Sequence, residues 1–266
     1  MASGAGADDD NRTAGPATIV KKPTGQRPVE NIVGSPVSLR YGGMQPANTA
    51  RKEMFGDEAA WTFLTRFGAP ADQLGPVAET RVFETYPVLT IIALGWTLPA
   101  PRPAGRLAKY NPERKKTFSI LDWRYVCGLA SGAFRDRGLV DIAQWIEDAA
   151  QNFSPRKSDQ DGLDACLCLL VALYLAEQKE CLMVGDRQTG YIVVPYAPGL
   201  RAELDARCNR TGRVLSEWVR AFRLRASAPR LSPLFARTWH RACIAILCWR
   251  REARADLKPV NSRGFV

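Results

Sequence analysis

An α/β fold with a basic C-terminal extension is predicted by three features of the chain. Short apolar runs of strand character at Arg81–Thr85, Cys181–Val184 and Tyr191–Val194 alternate with longer stretches of helical spacing. The segment Asp161–Pro195 condenses the pattern, since the apolar stretch Ala165–Ala176 is followed by two apolar runs separated by GDRQTG, the signature of a hairpin. Charge is lopsided: residues 197–266 hold fifteen Lys/Arg against five Asp/Glu, while residues 1–196 hold twenty-two of each sign. Three regions follow: residues 1–15 as a disordered N-terminus, 16–196 as the folded domain, and 197–266 as an Arg-rich extension, partly helical or disordered.

Residues 16–50 carry Pro16, Pro23, Pro28, Pro36 and Pro46 among glycines, which predicts irregular connection with a short extended piece at Ala17–Val20. Trp61, Leu64 and Phe67 recur at helical spacing within Glu58–Phe67, and Gly68 is placed to stop that helix. The strand Arg81–Thr85 ends at Tyr86-Pro87, where proline suits the first turn of a helix through Ile91, Ile92 and Leu94. A turn-like basic run, Lys109–Lys116, precedes a helix over about 117–130, and another spans about 139–149 with Ile142, Trp145, Ile146 and Ala149 on one face. Asn152–Gln160 then links to the apolar helix and the hairpin.

Composition excludes several classes. Apolar content of 46% and charged content of 24% are those of a globular protein, and no apolar run reaches the length a membrane span needs. The stretch MASGAGADDDNRTAG has neither the basic nor the apolar part of an export signal, so a cytoplasmic location is expected. Seven cysteines, without paired metal spacing, are expected to be reduced thiols. Cys166 and Cys168, two apart on a helix, cannot chelate together.

Asp161 and Asp164 stand three apart at the mouth of the apolar helix, so within its first turn they share a face and converge on one cation. Capping of the helix and complementing its dipole account for the same two acids. Glu84, at the end of a strand, reads either as a third member of a site or as a solvated strand-end acid. Lys109, Arg114, Lys115 and Lys116 form either a phosphate-contacting run or a solvated loop. In the extension, Arg220, Arg223, Arg225, Arg230 and Arg237 with Trp239 and Trp249 form either a basic aromatic surface for nucleic acid or a poorly ordered tail.

Four motifs in order, ETYP at Glu84–Pro87, AKYNPERKK at Ala108–Lys116, SDQDGLDACLCLLVALYLA at Ser158–Ala176 and VGDRQTGYIVVP at Val184–Pro195, resemble the predicted RNase H-like nuclease family, related to the RuvC-type resolvases. TGQRPVE at Thr24–Glu30 and MQPAN at Met44–Asn48 extend the resemblance, which covers about residues 16–195. It implies a mixed sheet flanked by helices, with Glu84, Asp161 and Asp164 as catalytic acids holding Mg²⁺ or Mn²⁺ for phosphodiester hydrolysis of nucleic acid. The family's first strand and its metal-bridging Asp have no counterpart: Ala14-Gly15-Pro16 stands where such a turn is expected, and Asp8, Asp9 and Asp10 lack flanking apolar residues. Two functions are therefore expected from the resemblance, a metal-dependent nuclease or a non-catalytic module of the same fold that binds nucleic acid or a protein.

Overall fold

The structure is a computed structural model and describes residues 27–35, 82–100, 105–186, 189–224 and 245–248. The expected disordered N-terminus, the extended piece at Ala17–Val20 and the helix Glu58–Phe67 lie outside the described residues, as do Arg225, Arg230, Arg237, Trp239 and Trp249. In chain order the elements are α1 (Pro28–Ser35), β1 (Val82–Thr85), α2 (Pro87–Ala93), α3 (Ile120–Arg135), α4 (Val140–Gln151) and α5 (Lys157–Ala176). They continue through β2 (Cys181–Asp186), β3 (Gly190–Pro195), α6 (Pro198–Arg210), the single turn α7 (Leu215–Trp218), β4 (Val219–Phe222) and β5 (Ala245–Cys248).

The fold is mixed α/β. Its centre is a three-stranded antiparallel sheet of order β3-β2-β4, while β1 and β5 pair in parallel. The hairpin β2–β3 has the expected place, and its register sets Met183 opposite Val193 and Val184 opposite Ile192. Gly185 is required there: its φ of +105° lies in glycine's territory, and a Cβ would stand 2.8 Å from the Tyr191 Cα and closer still to the Gly190 carbonyl oxygen.

Alternation along β2 and β3 sends side chains into two apolar layers. Leu182, Val184, Ile192 and Val194 share one core with Val29, Ile32 and Val33 of α1, Leu200 and Leu204 of α6, and the facing sides of α2–α5. Met183, Tyr191 and Val193 meet Phe83 of β1, Val171 and Leu175 of α5, and Phe222 of β4 on the other. Burying each such side chain contributes roughly 1.5–3 kcal/mol, and a sheet covered on both faces explains why β2 and β3 read as continuous apolar runs.

The boundary expected at residue 196 falls inside this unit. β4 pairs with β2, Cys181 opposite Phe222 and Val184 opposite Val219, and α6 buries Leu200, Leu204 and Cys208, so residues 198–222 complete the domain rather than extend it. Short apolar residues among arginines carried too little periodicity to reveal a strand whose partners lie 35 to 41 residues back. Among the described cysteines, Cys127, Cys166, Cys181 and Cys208 are free thiols, while Cys168 is disulfide-bonded, contrary to the expectation of reduced thiols throughout.

Candidate functional site

Glu84 lies on β1, a four-residue strand that Pro87 terminates by opening α2. It is 3% exposed, and Arg27 reaches both its carboxylate oxygens: Nη1 donates to Oε2 at 2.7 Å and Nη2 to Oε1 at 2.6 Å. Arg27 precedes α1 and is closed from its other side by Glu30, whose Oε1 accepts from Nε at 2.9 Å and whose Oε2 accepts from the Arg27 backbone N–H at 2.7 Å. This fork-to-carboxylate geometry is the strong form of charge-assisted hydrogen bond. Burial pushes the Glu84 carboxyl above its usual range, against the pull of the Arg27 charge. Glu30 shifts the same way, by burial first, with Arg27 opposing. Burial alone lowers Arg27, but Glu84 and Glu30 outweigh it and hold the guanidinium above its usual value. Two acids and one base are thus enclosed where unpaired charge would be expensive.

Asp164 and Asp161 part company. Helix α5 begins at Lys157, where the Asp159 carboxylate accepts from the Arg156 backbone N–H at 2.7 Å, so neither expected acid lies in the first turn and neither caps the helix. Asp164 is 3% exposed and accepts from the Tyr110 hydroxyl at 2.8 Å. Asp161 is exposed and pairs with Lys157 one turn earlier. At 100° per residue, three positions rotate the second acid 60° away from the first, which on a helix lying at the core's edge separates solvent from interior.

One turn before Asp164, Gln160 is fully buried, and neither its amide nitrogen nor its carbonyl oxygen has a hydrogen-bond partner among the described residues. Among the described residues no three His, Cys, Asp or Glu side chains converge to hold a metal ion. Among the described residues the three expected acids are thus not brought together: Arg27 engages Glu84, Lys157 pairs with the exposed Asp161, and the Tyr110 hydroxyl donates to Asp164.

The basic run Lys109–Lys116 is held against the start of α3. Asp122 accepts from the Lys109 backbone N–H at 2.8 Å and from both terminal nitrogens of Arg106, while the Ser119 hydroxyl caps the helix by accepting from the Asp122 N–H at 3.3 Å. Burial alone raises the Asp122 carboxyl, but Arg106, the Lys109 N–H and Ser119 outweigh it and hold the group below the usual carboxylate range. Lys109, Arg114, Lys115 and Lys116 are left exposed.

Sequence reading missed Arg27, Glu30, Tyr110 and Gln160. Arg27 and Glu30 carry a local signal, opposite charges three apart at a helix start. Tyr110 and Gln160 act through partners or environments that no spacing encodes. Compared with protein-family models, with curated proteins and with solved structures, the chain matches none.

Proposed function

We propose that this chain is a non-catalytic module of RNase H-like type that binds nucleic acid. The observation that carries the reading is the buried Arg27–Glu84 pair, closed by Glu30. In the motif the chain resembles, the acid at the end of that strand faces a divalent cation; here a guanidinium engages both its oxygens, supplying positive charge without Lewis acidity. The exposed Lys109, Arg114, Lys115 and Lys116 supply the complement to a polyanionic backbone.

A second reading, divalent-metal-dependent hydrolysis with Glu84 and Asp164 as ligands, draws on the burial of both carboxylates. It requires Arg27 to leave Glu84. One experiment separates the two. The full chain is titrated with labelled single strands and duplexes in EDTA, then incubated with Mg²⁺ or Mn²⁺ and inspected for products. Binding in EDTA with intact substrate supports the module. Its salt dependence weakens in a Lys115→Ala/Lys116→Ala variant, the slope of log K against log salt falling by ~0.7 for each single-strand phosphate that is no longer neutralised. Metal-dependent products that disappear in Asp164→Asn would establish the hydrolase instead.

A further inference from the structure

Among the described residues, Phe153 is the most exposed large apolar side chain, at 82%. The Arg124 guanidinium carbon lies 4.9 Å from the centroid of its ring, within cation–π range. Arg124 is itself anchored, its Nε donating to the Ala150 carbonyl at 3.3 Å, and Trp123 fixes the same helix end by donating from Nε1 to the Ala149 carbonyl at 3.2 Å. One face of the ring is thus backed by a cation, and its exposure leaves the other to solvent.

Arg124 and Phe153 line an open depression of about 550 Å³ between α3 and α4, together with Cys127 and Gly128 of α3. A side chain at Gly128 would meet nothing within 4 Å. Gln151 and Glu147 line the α4 side, Glu147 being ion-paired with Arg135, so the edge offers both amide and carboxylate hydrogen-bonding groups. The basic loop is tied to the same end of α3, where the Ser119 N–H donates to the Lys109 carbonyl at 2.9 Å. Five residues of helix, about 8 Å of axis, separate that anchor from Arg124.

We infer that Phe153, backed by Arg124 beside the open α3–α4 depression, is a stacking platform for an unpaired base of a single-stranded nucleic acid whose phosphates follow the loop Lys109–Lys116. The inference rests on the nucleic-acid reading above and narrows it. A π-face next to a basic track is what sequence-tolerant single-strand binding uses, because every base presents a stacking face only when it is not already stacked in a duplex. Pre-orientation of the ring by Arg124 lowers the ordering cost of that contact.

The test is a fluorescence-anisotropy titration of an oligo(dT) strand and of a duplex of equal length, using the full chain, Phe153→Ala, Phe153→Trp and Lys115→Ala/Lys116→Ala. Exposure of Phe153 predicts unchanged folding, which thermal melts check. Loss of one stack weakens oligo(dT) binding by roughly 5- to 150-fold in Phe153→Ala, while duplex binding is unchanged and Phe153→Trp retains affinity. Equal affinity of wild type and Phe153→Ala for oligo(dT), or an equal loss for strand and duplex, overturns the stacking site and leaves the nucleic-acid reading standing. Failure of the wild-type chain to bind either ligand at low salt overturns both.

Discussion

Replacing Arg27 with alanine removes the cation that faces both Glu84 and Glu30 and leaves two carboxylates inside the fold, each 3% exposed or less. Taking one partner from a buried ion pair costs about 3–5 kcal/mol, because the survivor is neither solvated nor compensated. The penalty is pH-dependent, and its sign follows from the shifts. Burial already pushes both carboxyls above their usual 4.5, with Arg27 pulling them back; without Arg27 they rise further. A carboxyl raised in the folded state contributes stability fully below its unfolded pKa and loses it as pH rises through the folded value. The variant is therefore most impaired at neutral pH and recovers part of the deficit as acid protonates Glu84 and Glu30. Urea denaturation of wild type and Arg27→Ala at pH 7 and pH 5, followed by tryptophan fluorescence, reads the difference directly. Arg27→Lys restores charge but not the two-pronged geometry and falls between them. A deficit below about 1 kcal/mol at pH 7, well short of the cost of an unpaired buried charge, or one that does not shrink on acidification, would show that Arg27 does not compensate these acids.

Two further outcomes test the interior. Gln160→Met replaces a buried, unpartnered amide with an apolar chain of similar length; relieving about 1 kcal/mol of desolvation cost raises the melting temperature by about 2–4 °C. A lower melting temperature than wild type contradicts the assignment of Gln160 as unsatisfied. Gly185→Ala forces a side chain into a left-handed strand position against the Gly190–Tyr191 backbone and costs at least ~2 kcal/mol in the same urea assay, whereas a neutral result would show that the hairpin relaxes there.

Much of the scaffold was legible in the residues because local rules determine it. Pro87 opens α2 as its fixed φ predicts, and the two apolar runs around GDRQTG pair as a hairpin. The start of α5 was not legible from apolar content, since polar Lys157–Gln160 adds a turn stabilised by Asp159 at the helix entry. That added turn moves both acids past the helix entry, and the 60° between them leaves Asp161 exposed and Asp164 buried. The contacts that decide the candidate site are long-range: Arg27 meets Glu84 across 57 residues, and Tyr110 meets Asp164 across 54. No periodicity reports such pairs. Tertiary pairing likewise made a strand of Val219–Phe222 within a basic stretch whose composition suggested a tail.

On the proposed reading, in which Arg27 rather than a metal ion engages Glu84, divalent cations do not change the fate of any nucleic acid that the chain binds. Full-length chain is incubated with labelled single-stranded oligonucleotide in EDTA, in Mg²⁺ and in Mn²⁺, and binding and product formation are followed in parallel. Binding in EDTA and intact oligonucleotide under all three conditions are the expected results. Cleavage that appears with Mg²⁺ or Mn²⁺ and vanishes in both Glu84→Gln and Asp164→Asn would contradict them.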